Sequence, residues 1–172
     1  MSWTVPVGSP AYAWGGALLL ALPLLLIGGA TWWEFGHAQG GSSAWPAVVA
    51  CSLIIVVGVA LLGSMRVSRA EIDGEGRLVI RGSLYRQTID LSRIDRASIV
   101  AHDAHDRPSL WLRTNGIGLP GYSAGWFRGS GGKRTFVVYG DGPHVSFRTV
   151  DGTHYVVGAT DADEVARALA AA

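Results

Sequence analysis

The chain has 172 residues, 14 Lys and Arg against 13 Asp and Glu, one cysteine and 49% hydrophobic residues. One cysteine excludes an internal disulfide, and the length fits one ordinary domain plus a membrane anchor. The formal net charge of +1 describes neither half of the chain, because every basic residue lies at or beyond Arg66 and only Glu34 among the acidic residues precedes it.

Residues 11–33 (AYAWGGALLLALPLLLIGGATWW) and 44–65 (AWPAVVACSLIIVVGVALLGSM) carry no charge. Each is long enough to cross a hydrocarbon core of about 30 Å as a helix. Trp14, Trp32, Trp33 and Trp45 cluster near their ends, as interfacial aromatics do. The first segment lacks the basic start of a cleaved signal peptide and exceeds the usual apolar length of one. Pro23 is predicted to bend the first span without ending it. Cys51 reads as a small apolar filler in the second span. Arg66, Arg69, Arg77 and Arg81 follow the second span, whereas residues 1–10 and the loop at 34–43 contain no Lys or Arg. The positive-inside rule then predicts both termini in the cytoplasm and residues 1–65 as a membrane hairpin.

From residue 66 the pattern changes to short alternating runs bounded by Gly and Asp, which read as strands and turns. VSRAEI and RLVIRGS flank the turn DGEG; RQTIDL and RASIVAH flank LSRID; LWLRT is a further strand. RTFVVY, HVSFRT and HYVVGA follow, separated by GDGP and VDG. The last segment predicts a helix capped by Thr160 with Asp163 three residues on, burying Ala162, Val165, Ala168 and Leu169. The expected architecture is α+β, with about seven antiparallel strands in a curved sheet or partial barrel closed by a C-terminal helix.

This layout, with GYSAGWF at 121–127 and HVSFRTVDGTHYVV at 144–157, resembles the bacterial PH-like domain family found in small membrane proteins. Tyr122, Gly125 and Phe127 match a G-Y-x-x-G-x-F pattern; Asp151, Gly152 and Tyr155 match D-G-x-x-Y. The resemblance covers residues 66–172 and implies a PH-like domain on the cytoplasmic face of a bacterial inner membrane. It carries fold more than function.

The glycine-rich stretch at 115–133 raises three readings. A phosphate-binding P-loop requires G-x-x-x-x-G-K-[ST], but Arg134 follows Gly132-Lys133 and Phe127 occupies the first glycine position. The resemblance would place an inositol phosphate near the first hairpin, where Asp73 and Glu75 oppose it. The third reading is a contact surface: residues 107–140 contain no acidic residue, while Arg107, Arg113, Arg128, Lys133 and Arg134 supply five positive charges. Trp126, Arg128, Lys133 and Arg134 are the candidate binding residues. Tyr122, Gly125 and Phe127 read as structural, and Trp126 and Arg128 suit either role.

AHDAHDRP at 101–108 offers His102, Asp103, His105 and Asp106 as metal ligands, with His144 and His154 more distant. No nucleophile, base and orienting group stand together in the sequence. The expectation is a membrane-anchored binding or scaffolding module, without catalysis, cofactor, bound metal or nucleic-acid partner. It would contact a membrane-protein partner or the anionic leaflet. The rival is a membrane-tethered metal-dependent enzyme using the His/Asp cluster.

Overall fold

The computed structural model describes residues 1–36 and 45–172, which divide into two compact units: Tyr12–Gly63, and Met1–Ala11 together with Ser64–Ala172. The loop expected at 34–43 lies, beyond Gly36, outside the described residues, as does Ala44.

In the first unit, α1 (Ser9–Gly16) runs through a π-helical segment (Ala17–Ala21) into α2 (Leu22–Gly36), and α3 spans Trp45–Met65. Both runs are long and apolar enough to cross a membrane. Leu18, Leu24, Leu25 and Leu26 on one and Leu53, Val56 and Val59 on the other are exposed, an outward apolar surface suited to lipid. Pro23 has no N–H to donate and its ring crowds the preceding turn; the π segment just before it widens the helix where that strain falls. The helices approach closely at Gly58, where an added Cβ would sit 2.8 Å from Leu19 Cβ.

The second unit contains two sheets. The first has the order β1 (Ser2–Thr4), β2 (Arg69–Ile72), β3 (Arg77–Gly82), β4 (Tyr85–Asp90). The second has the order β5 (Ile94–His102), β9 (His144–Thr149), β10 (His154–Gly158), β8 (Arg134–Gly140), β7 (Tyr122–Gly129), β6 (Leu110–Leu119). Ten strands in two sheets replace the expected seven or so in one, and β8 pairs with β10 in parallel where antiparallel pairing was expected. The parallel pair arises because the link Asp141–Pro143 steps over the position that β10 later fills.

Two expectations about segment boundaries also change. Residues 1–11, assigned by sequence to the anchor, belong with the β-rich unit. Trp3 pairs with Ala70, Val5 N–H donates to the Ser68 carbonyl at 3.1 Å, and Val5 is buried in the main core. A Cβ at Gly140 would fall on the Pro6 carbonyl oxygen, so glycine there admits the N-terminal segment. The glycine-rich stretch is largely strand: β6 and β7 form a hairpin, and only Ser130–Gly132 make a 3-10 turn before β8.

The main core joins Leu78, Ile80 and Ile89 of the first sheet to Phe136, Val138, Val145, Phe147 and Val157 of the second. Helix α4 (Ala162–Ala171) packs over β5 and β9 through Ala162, Val165 and Leu169. Its N-cap is Asp161, which accepts from Glu164 N–H at 2.9 Å, not Thr160. A carboxylate cap also neutralises the positive end of the helix dipole, which a threonine hydroxyl does not.

Candidate functional site

Strand parity sorts the candidate residues by face. Trp126 lies opposite Phe136 and Arg128 opposite Arg134, so these four share the face of the six-stranded sheet that covers the main core. Phe127 and Thr135 point to the other face, where Phe127 joins Val137, Tyr139, Val156 and Leu110 in a second small cluster. Neighbouring aromatics at 126 and 127 are therefore both packed, because this sheet carries apolar contacts on both sides.

Trp126 is half-buried, meets Phe136 edge-on at 5.1 Å, and is covered by the Arg134 guanidinium 3.9 Å from its ring centre. That is a cation–π contact. Arg128 and Arg134 face each other across the strand pair and both are exposed. Beside them on β6, Trp111 is 67% exposed and Leu112 is 45% exposed. Trp111 is held by its indole N–H donating to the Gly129 carbonyl at 2.9 Å. The sequence marks this run only as a strand, and nothing in its pattern shows which of its side chains are left uncovered. A register shift beside Leu110 leaves Trp111 and Leu112 outside both apolar clusters.

Tyr122, Gly125 and Phe127 are packing residues. Tyr122 is 1% exposed, and its hydroxyl lies 2.8 Å from Ser68 Oγ, tying β7 to the chain just after the second apolar helix. Gly125 has φ +116°, and a Cβ there would stand 2.5 Å from the Asn115 carbonyl oxygen. The D-G-x-x-Y motif is a turn followed by a core residue. Asp151 accepts from the Thr149 hydroxyl and from Thr153 N–H, Gly152 takes φ +81°, and Tyr155 stacks on Phe147 at 5.3 Å. The Thr149 hydroxyl, the Thr153 backbone and Arg93 hold the Asp151 carboxyl below its ordinary pKa.

Lys133 points the other way. It lines a cavity of about 380 Å³ on the second face, together with Arg107, His102, His144, Ser146 and His154. Strand order brings two of these histidines together: His102 ends β5 and pairs with His144 at the start of β9, whereas His154 opens β10 opposite Arg148, at the far end of β9. The rings of His102 and His144 stack at 4.6 Å, 9° from parallel. His102 Nε2 lies 2.8 Å from Ser146 Oγ and Nδ1 lies 3.8 Å from Asp106 Oδ2.

That order of serine, imidazole and carboxylate is the order of a hydrolase relay. Its last link has an ion-pair separation to a carboxylate that is 68% exposed, so the ring is not oriented as a buried acid would orient it. His144 is 2% exposed. Burial first, and then the neighbouring His102, lower its pKa to about 4, against the Gly142 backbone, which faces the ring without closing a well-formed hydrogen bond. Burial and then Lys133 lower that of His154.

The metal reading fares differently from its sequence. Stacked rings hold their nitrogens side by side instead of converging on one point. Among the described residues no three His, Cys, Asp or Glu side chains are arranged to hold an ion. Asp103 lines a second cavity together with His102 and Asp106, whereas His105 lines neither cavity, so the four candidate ligands do not form one set.

Compared with family models, characterised proteins and solved structures, the chain matches none.

Proposed function

We propose that the chain is a membrane-anchored binding or scaffolding module without catalysis, its β-rich unit having the PH-like architecture that the sequence resembles. Two apolar helices of membrane-crossing length support the anchor. Residues 1–11 and 64–172 form one unit around the excursion through 12–63, which suits an even number of crossings with both ends on one side. The four arginines after the second helix favour the cytoplasmic side of a bacterial inner membrane.

The single observation that carries the binding reading is the corner formed by Trp111, Leu112, Trp126, Arg128 and Arg134. It combines exposed apolar surface with two facing guanidinium groups, in a segment free of acidic residues from 107 to 140. Such a surface fits an acidic target, either anionic headgroups or an acidic face of a neighbouring membrane protein. Each basic residue near an anionic leaflet contributes about 1 kcal/mol, and tethering makes weak contacts effective.

A photo-crosslinking residue placed at Leu112 of the full chain in native membranes tests the reading. Lipid or protein adducts should form, decrease at high salt, and be lost in an Arg128→Ser, Arg134→Ser background. Adduct yield no greater than from the exposed position Val150 would overturn it.

A further inference from the structure

The cavity under the loop at 103–109 uses residues that the contact surface does not. Its wall carries Arg107 from the loop at 103–109 and Lys133 from the β7–β8 turn, and neither side chain forms a salt bridge among the described residues. The imidazole side chains of His102, His144 and His154 also line it. A single water, occupying about 30 Å³, would leave most of a 380 Å³ space unused; cavities that bind small molecules begin at about 300 Å³.

The ligand's chemistry follows from the wall. Two cations from separate loops call for an anion with acceptors in more than one direction. A tetrahedral phosphate offers a planar guanidinium two oxygens and leaves others for the ammonium and an imidazole N–H. A carboxylate has two oxygens in one plane. Leu110 and Val156 complete the wall with apolar surface for an esterified group. Asp106 is directed toward His102, which tempers its repulsion of an anion. We propose that this cavity is a binding site for a phosphate monoester, free or as a lipid headgroup. The site is independent of the corner formed by Trp126, Arg128 and Arg134, which lies on the other face of the sheet.

Imidazole NMR of the full chain in bicelles would test this, with glycerol 3-phosphate as the soluble probe and phosphatidic acid, against phosphatidylcholine, as the lipid probe. Resonances of His102 and His154 should shift saturably with at least one phosphate source and not with chloride at equal ionic strength. A response to glycerol 3-phosphate assigns a soluble ester; a response to phosphatidic acid alone assigns the headgroup. Arg107→Gln and Lys133→Gln should each weaken the response by about tenfold or more, as loss of a charged hydrogen-bond partner does. Both side chains are exposed, so the variants should fold as the parent, and Arg128→Ser with Arg134→Ser should leave binding unchanged. Histidine resonances indifferent to both phosphate probes, or glutamine variants that titrate like the parent, would overturn the proposal.

Discussion

Gly125 shows how a single position can be fixed by two constraints at once. Its φ of +116° is strained for any L side chain, and β6 passes so close that a Cβ would press on the Asn115 carbonyl. Gly125→Ala should therefore destabilise the β-rich unit by about 1–3 kcal/mol, read as a lowered midpoint in thermal unfolding. The nearby Arg128→Ser, which touches neither core, should change it by less than about 0.5 kcal/mol.

His144 gives a pH dependence of defined sign. Its folded pKa, about 4, lies below the ordinary value of 6.5, so between these values the unfolded chain binds a proton that the folded chain refuses. Its contribution is present in full above about pH 6.5, declines as pH falls toward 4, and does not change further below that. The span corresponds to about 3–4 kcal/mol, and the lowered pKa of His154 acts in the same direction. Denaturant unfolding at a series of pH values should show this slope, and His144→Phe should flatten it.

At the scale of elements, α4 is held by its apolar stripe and by one cap. Leu169 is 2% exposed, and Leu169→Ala should cost about 2–5 kcal/mol. Asp161→Ala should cost about 0.5–2 kcal/mol, whereas Thr160→Ala should be nearly neutral, which separates the two candidate caps in one pair of melts.

Elements differ in how plainly their sequence announces them. The two apolar helices, β8, β9 and α4 are legible because each has one periodicity and one environment. β7 is not: its glycines suggest a loop, and Trp126 and Phe127 look like a break in alternation until both faces of the sheet are known to be covered. β1 is three residues long and ends before Pro6, with a partner far along the chain. Tyr122, Gly125 and Phe127 could be read as structural from their residue types. The cavity could not, because its lining residues come from separate stretches brought to one face only through the strand order of the second sheet.

For the whole molecule, the contact between residues 1–11 and the strands beyond Ser64 makes the β-rich unit discontinuous in sequence. Replacing residues 12–63 by a flexible Gly/Ser linker should yield a soluble, cooperatively melting protein. Deleting 1–63 outright removes β1 and the buried Val5, and should lower the melting temperature of what remains. Equal melting temperatures for the two would show that the N-terminal strand adds nothing to stability.

The same pairing constrains how the molecule is made. Thr4 is synthesised early, yet its strand partner Arg69 leaves the ribosome only after both apolar helices have been translated. Until then the N-terminal segment is unpaired and without its core. Under the proposed membrane anchoring, closing the sheet is thus a late step that checks the outcome of insertion: a molecule whose first residues had crossed to the far side could not complete β1 or bury Val5.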